Sequence, residues 1–307
     1  MEDYPKTLLE FERWFSTEEA CIEYLFKLRW PEGFRCPRCG NEEAWAMRRG
    51  LYRCKSCRFE TSVTAGTIFQ DTRKPLRLWF RAIWHLTTQK YGANALGLQR
   101  ILGLGSYHTA WTWMHKLRRA MVRPGRDRLS GTVQADEVYI GGEKPGKRGR
   151  GAIGKALVVI MVELKENRIG RIRLRRVLDA SGPSLEGAVK EDIEPGSTVQ
   201  TDGWGGYGRL SELGYVHEII RKEAAVGKNV LPKVNRISSL FKRWLLGTYQ
   251  GRVEHSYLDY YLDEYTFRFN RRTSRSRGKL FYRLVEQAVS IDPMPNSEIH
   301  GGVVAIP

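Results

Sequence analysis

Val133, Ala135, Val138 and Ile140 thread apolar side chains through a short run that ends in Gly141-Gly142. The pattern predicts a β-strand closed by a turn, with Asp136 where a central strand normally carries a hydrophobe. Leu157–Leu164 and Arg168–Leu178 are two further β-rich runs, joined to the first through a basic, glycine-rich hairpin tip at Lys144–Gly151. Short turns between the three predict an antiparallel meander. Pro183–Lys190 reads as a short helix, and Thr198-Val-Gln-Thr-Asp202 as a fourth strand that again ends on an aspartate. Gly203-Trp-Gly-Gly-Tyr207 then turns the chain sharply away, and Tyr215–Arg221 fits a fifth strand.

Helical periodicity brackets this region. Near the start, Leu8, Leu9, Phe11, Trp14, Phe15, Cys21, Ile22, Leu25 and Phe26 alternate with charge, and Ser16-Thr-Glu-Glu19 has the form of a capped start, so one or two short helices are expected. Lys74-Pro75 opens another helix, with Leu78, Trp79, Ala82, Ile83 and Leu86 at helical spacing. Ala93–Leu102, a Gly103-Leu-Gly105 break and a Ser106-capped segment Tyr107–Met121 predict a helix-turn-helix. In its second helix Ala110, Met114, Leu117 and Met121 mark a buried face. Tyr107, His108, Thr109, Thr112, Lys116 and Arg119 are then expected outward, a set able to meet base edges and phosphates. An ordinary helical pair joining two domains is the other reading. Trp111 and Trp113 are expected in the core. Arg123–Ser130, with Pro124-Gly125, suits a linker.

Downstream, Leu231-Pro232 introduces a helix striped by Val234, Ile237, Phe241, Trp244 and Leu245. Asn235 and Lys242 are seven apart, two turns along nearly one face, so one helix presents an oxygen ligand and a cation together. Leu258–Phe269, carrying Glu264, and Lys279–Val289 complete the helices, and the tail from Pro293 is expected to be unstructured.

Charge narrows the partner. In 307 residues, 51 Lys and Arg face 34 Asp and Glu, a net charge of +17 that fits a polyanion, nucleic acid first. A membrane surface is the competing reading. No apolar run is long enough to span a bilayer, and the acidic start lacks the order of a signal peptide, so no membrane association and a cytoplasmic location are expected.

Four of the five cysteines fall into Cys36-Pro-Arg-Cys39 and Cys54-Lys-Ser-Cys57, which bracket fourteen residues. Two such knuckles bring four thiolates around one Zn²⁺, and Leu51–Cys54 and Phe59–Ser62 complete a zinc ribbon. Cys21 lies on an apolar face as a packing residue. Arg38, Arg48, Arg49, Arg53, Lys55 and Arg58 make the ribbon basic, either a DNA-contacting or a merely solvated surface.

An ionised carboxylate in a sheet needs a cation or several hydrogen bonds, so Asp136 marks either a metal site or a structural ion pair. Three antiparallel strands, a helix, a fourth strand and then helices is the order of an RNase H-like sheet, whose first and fourth strands are neighbours. That adjacency would bring Asp136 and Asp202 to the same divalent ions, with the helix from Pro232 supplying a third oxygen ligand for two-metal phosphoryl transfer.

At this point the residues resemble a known group: bacterial insertion-sequence transposases that join a zinc ribbon to an RNase H-like core with an Asp-Asp-Asn, Asp-Asp-Glu or Asp-Asp-His triad followed by Lys. The resemblance rests on Cys36–Cys57, Gly92–Met121, Asp136-Glu-Val-Tyr-Ile-Gly-Gly142, Thr201-Asp-Gly203, Asn235 with Lys242, and Leu262–Arg272. It implies structural Zn²⁺ on the cysteines and catalytic Mg²⁺ or Mn²⁺ on Asp136, Asp202 and Asn235. Lys242 would act on a phosphate, and Glu264 is the alternative third ligand. Many relatives carry a Glu where this chain has Ile237-Ser-Ser239. Glu137 should point to the face opposite Asp136. The expected fold is α/β multidomain: residues 1–65 an N-terminal helix and zinc ribbon, 66–125 a helix-turn-helix-like DNA-binding region, 126–290 an RNase H-like mixed sheet with flanking helices, and 291–307 a tail. The expected function is a DNA transposase, homo-oligomeric on DNA, that binds terminal inverted repeats and target DNA. A non-catalytic zinc-ribbon DNA-binding regulator and a junction-resolving nuclease are the alternatives.

Overall fold

The computed structural model describes residues 2–123, 125–141, 155–166, 168–220, 230–251 and 253–300. The predicted hairpin tip at Lys144–Gly151 lies outside them. The helices are α1 (Leu8–Trp14), α2 (Glu18–Arg29), α3 (Leu76–Thr88), α4 (Ala95–Leu102), α5 (Tyr107–Arg119), α6 (Gly182–Asp192), α7 (Pro232–Tyr249), α8 (Leu258–Asn270), α9 (Arg277–Ala288) and α10 (Asn296–His300). The strands are β1 (Ala44–Ala46), β2 (Leu51–Cys54), β3 (Glu60–Ser62), β4 (Thr132–Ile140), β5 (Ala156–Lys165), β6 (Arg168–Val177), β7 (Thr198–Thr201) and β8 (Val216–Ile219).

The chain divides into two compact units, Met1–Pro124 with Thr273–Pro307, and Gly125–Arg272. Sequence alone separates the ribbon from the helical region and carries the expected catalytic region to residue 290. In the structure ribbon and helices share the first unit, and α9 belongs there too because it packs along α3.

In the first unit α1 and α2 begin on Thr7 and Thr17, whose hydroxyls accept hydrogen bonds from the backbone N–H groups of Glu10 and Ala20. Pro75 gives α3 no side-chain cap, and Glu18 takes over, accepting from the N–H groups of Leu76 (2.6 Å) and Arg77 (3.1 Å). Phe11, Phe15, Phe80, Trp84 and Phe281 interlock at ring separations of 4.7–5.7 Å, and Trp79 stacks on Trp113 at 3.8 Å.

Two expectations are corrected here. Thr112, expected outward on α5, is 4% exposed, and Thr109 and Lys116 are half-buried; Tyr107, His108 and Arg119 remain exposed. The tail, in turn, is not unstructured: it forms α10, which packs against α5, with Met294 and Ile299 buried. Burial also pulls the Lys116 ammonium below its ordinary pKa, against the favourable field of Asp71.

In the second unit the strand order is β6-β5-β4-β7-β8. β4, β5 and β6 form the antiparallel meander, while β7 pairs parallel to β4 and β8 parallel to β7. β5 is buried on both faces. Val158, Ile160 and Val162 pack with Val234, Ile237 and Phe241 of α7 and Leu262 and Tyr265 of α8. Val159 and Met161 pack on the other side with Leu185, Ala188 and Val189 of α6. This mixed sheet with helices on both faces has the RNase H-like arrangement.

Candidate active site and zinc centre

The cysteines converge as their spacing predicts. Cys36 and Cys57 Sγ atoms are 3.6 Å apart, as are those of Cys39 and Cys54, and all four lie within 4.8 Å of one another. A tetrahedron of Zn–S bonds near 2.3 Å has edges of roughly 3.8 Å, so the donor set fits zinc. Burial opposes ionisation of Cys54, yet the N–H groups of Cys57 and Ser56 and the neighbouring sulfurs draw its pKa down to about 6. Cys57 is pushed up to about 12: the N–H of Phe59 favours its thiolate, but desolvation and three adjacent sulfurs outweigh it. Four thiolates in this volume need a dication. A short strand not foreseen, β1, completes the ribbon, and Tyr52 anchors it to α2 through rings of Phe26 (4.9 Å) and Trp30 (5.7 Å).

In the second unit β4 and β7 set two aspartates level. Gln134 is the partner of Gln200 in the parallel pair, and Asp136 and Asp202 each lie two residues further along. Pairing between the two strands ends there: Asp202 stands just past the end of β7, while β4 runs on to Ile140 still paired with β5, so both aspartates lie where the two parallel strands part. Asp136 is the cross-strand partner of Ile160, which packs against α7, so its side chain lies on the α7 face. It is half-buried, whereas Asp202, one residue past β7, is exposed. Local backbone orients both carboxylates: Asp136 Oδ1 accepts from the N–H of Glu137 and Asp202 Oδ1 from that of Trp204, each at 2.9 Å.

Glu137 faces the other way, as alternation requires. It is the partner of Val159, in the α6-side core, and accepts a 3.3 Å hydrogen bond from the hydroxyl of Tyr207. Tyr207 is fully buried, and its pKa is raised well above the ordinary value, by burial first and then by the fields of Glu137, Asp136 and Asp202. One phenol therefore senses all three carboxylates. The turn carrying it is tightly clamped: the Trp204 indole donates to Ala180 O at 2.9 Å, and a Cβ on Gly206 would come within 2.6 Å of that oxygen.

α7 lies on the same face as Asp136. Val234, Ile237 and Phe241 are fully buried against the sheet, while Asn235 is half-buried beside them, its Nδ2 donating to Leu231 O at 3.1 Å. Lys242, two turns on, keeps an exposed side chain, and its ammonium is pushed below the ordinary value by partial desolvation and then by Lys155.

The ISXO2-like transposase domain matches residues 128–270, and the transposase zinc-ribbon domain of the same insertion-sequence group matches residues 16–60. This chain belongs to the insertion-sequence transposases that carry an N-terminal zinc ribbon. An uncharacterized protein in the transposable element ISH50 of Halobacterium salinarum is 26% identical over 217 residues, 64% of this chain and 71% of that protein. Among solved structures, a simian T-cell lymphotropic virus intasome in complex with PP2A regulatory subunit B56 gamma covers 65% of this chain and 74% of its own, at 12% identity. Its TM-score of 0.33 is too low to bear on the assignment.

The transposase domain carries Glu264 on the later helix α8. Fully buried on α8, which packs over β6 two strands from β4, its Oε1 takes Arg268 Nε at 2.8 Å and its Oε2 the Tyr249 hydroxyl at 3.1 Å. Among the described residues, no helix of the transposase is long and apolar enough to cross a membrane. Gln134 and Gln200 form a polar pair two residues before the two aspartates, which hydrophobic periodicity alone does not reveal. The signal was present as alternation, since Gln134 and Asp136 share a strand face between apolar residues.

Proposed function

We propose that this transposase binds the terminal inverted repeats of its element and catalyses phosphodiester hydrolysis and strand transfer with Mg²⁺ or Mn²⁺ held by Asp136, Asp202 and Asn235. The observation that carries the reading is the level placement of two aspartates where the adjacent parallel strands β4 and β7 part, on or beside the face covered by α7. Hard oxygen donors of this kind suit divalent cations, which at such a site activate an attacking oxygen and neutralise a leaving one. In the hydrolytic step a water oxygen bonds to phosphorus as the P–O3′ bond breaks, freeing a 3′-hydroxyl. In strand transfer that hydroxyl attacks a target phosphodiester and displaces its 3′-oxygen. Lys242 meets a phosphate as a point charge, two turns along the helix from Asn235.

Asn235 is favoured over Glu264 as third ligand because both Glu264 oxygens are engaged by Arg268 and Tyr249. The ribbon, with Arg48 and Arg49 exposed, and the exposed Tyr107, His108 and Arg119 of α5 are the surfaces for repeat recognition. Transposition on paired ends then calls for a homo-oligomer on DNA. Strand transfer of linear repeat ends in Mg²⁺ tests the reading. Asp136→Ala and Asp202→Ala should retain end binding and lose joining; full activity in either variant refutes the assignment. Mg²⁺-dependent nicking excludes a purely DNA-binding regulator, and joining of 3′ ends to new DNA excludes a junction-resolving nuclease.

A further inference from the structure

Immediately behind the two aspartates, three polar side chains occupy one cross-strand row. Gln134 on β4 is the register partner of Gln200 on β7, which is the partner of Glu218 on β8. They are linked edge to edge: Gln134 Nε2 donates to Gln200 Oε1 at 3.2 Å, and Gln200 Nε2 donates to Glu218 Oε2 at 2.9 Å. Gln134 is 7% exposed, in a strand whose neighbouring positions are apolar, so an amide there is costly unless its hydrogen bonds are made.

The row also reaches the helix. α7 starts poorly: Leu231 at its N-cap has no side chain able to accept, and Pro232 has no N–H. The N–H of Lys233 is instead met by Gln134 Oε1, at 3.3 Å, from the strand beneath. Asn235 follows two residues later, within the same first turn.

We propose that Gln134 is a positioning residue for the metal site, its amide tying β7 to β4 so that Asp202 stays level with Asp136, and capping α7 from the sheet so that Asn235 is held above them. Gln200 relays the tie to Glu218. The inference rests on the metal reading of Asp136, Asp202 and Asn235, and explains why an amide, with a donor and an acceptor on one rigid group, occupies a strand position suited to a hydrophobe. An acceptor alone could cap the helix but not hold the neighbouring strand.

The test uses the full-length, zinc-loaded protein with Mn²⁺ as the probe. Gln134→Met keeps length and volume and removes both hydrogen bonds; Gln200→Met breaks the strand tie and leaves the helix cap. Groups that orient metal ligands typically change affinity by about 10–100-fold. Gln134→Met should weaken Mn²⁺ binding by roughly 10-fold, at the low end of that range, and Gln200→Met by less. Hydrogen exchange should show faster exchange at Lys233–Asn235 in Gln134→Met but not in Gln200→Met, with β5 unchanged in both. Faster exchange there with unaltered Mn²⁺ affinity overturns the positioning role. Unaltered exchange overturns the cap itself. Mn²⁺ binding by Asp136→Ala equal to that of the wild type removes the metal reading, and this inference with it.

Discussion

Removing zinc should unfold the ribbon and leave the sheet of the second unit standing. β1, β2 and β3 are three, four and three residues long, too short to persist in water on their own. What fixes them is the thiolate cluster at one end and Tyr52 against Phe26 and Trp30 at the other. Two thiolates at the observed 3.6 Å repel by about 5 kcal/mol at an effective dielectric near 20. The set therefore cannot ionise fully without a dication, which is why Cys57 is pushed up to about 12 while Cys54 is drawn down to about 6. Loading zinc at pH 7.5 should accordingly release at least the proton held on Cys57. Structural zinc contributes about 10–16 kcal/mol at pH 7 in sites of this type, far more than three short strands gain by pairing. Chelation, or Cys36→Ser, should abolish amide protection from β1 through β3 and open tryptic cleavage at Arg48, Arg49 and Arg53. Protection of β4, β5 and β7 should be unchanged. Ribbon amides that keep their protection after stoichiometric zinc removal would refute the reasoning, as would zinc uptake without proton release.

Two predictions concern the stability of the second unit. A Cβ at Gly170 would lie 2.6 Å from Glu163 Oε2 and 3.1 Å from the Glu163 carbonyl oxygen, and Arg171 pins that carboxylate, so Gly170→Ala should cost about 1–3 kcal/mol in denaturant unfolding. A variant as stable as wild type would show that the β5–β6 hairpin relaxes freely. Glu163 also predicts a pH dependence. Burial opposes its ionisation, but hydrogen bonds and charge from Arg171 win and hold its pKa below the ordinary carboxylate value of 4.5. A depressed folded pKa adds stability above the unfolded pKa and loses it as pH falls through the folded one, so the melting temperature should fall on acidification below about pH 4.5. Glu163→Gln should be less stable at pH 7 and should flatten that slope; parallel curves for the two proteins would sink the idea.

The amino-acid sequence by itself determined much of this protein, because its strongest signals are local. Cysteine spacing defines the ribbon, since two knuckles need only a few residues each to aim their sulfurs. Hydrophobic periodicity places α3, α5 and α7, and strand alternation already separates Asp136 from Glu137 onto opposite faces. The order of elements around Asp136 and Asp202 also carried the expectation that β4 and β7 are neighbours, which their parallel pairing bears out. What only the tertiary structure decided is everything set by partners distant in sequence. The periodicity of α5 marks one buried stripe, yet in the folded chain Thr112 outside that stripe is buried too, and α10 packs against the same helix. α9 follows the transposase domain in the chain yet packs with α3, because Phe281 completes an aromatic cluster built by residues near the N-terminus. Glu264 and Asn235 are both oxygen donors on late helices, and composition cannot rank them. Their surroundings differ: Arg268 and Tyr249 engage the carboxylate on α8, while the N–H of Lys233, at the start of the helix that carries the amide, donates to Gln134. Such choices depend on which side chains meet across a sheet, and register between strands more than 60 residues apart is a property of the folded chain alone.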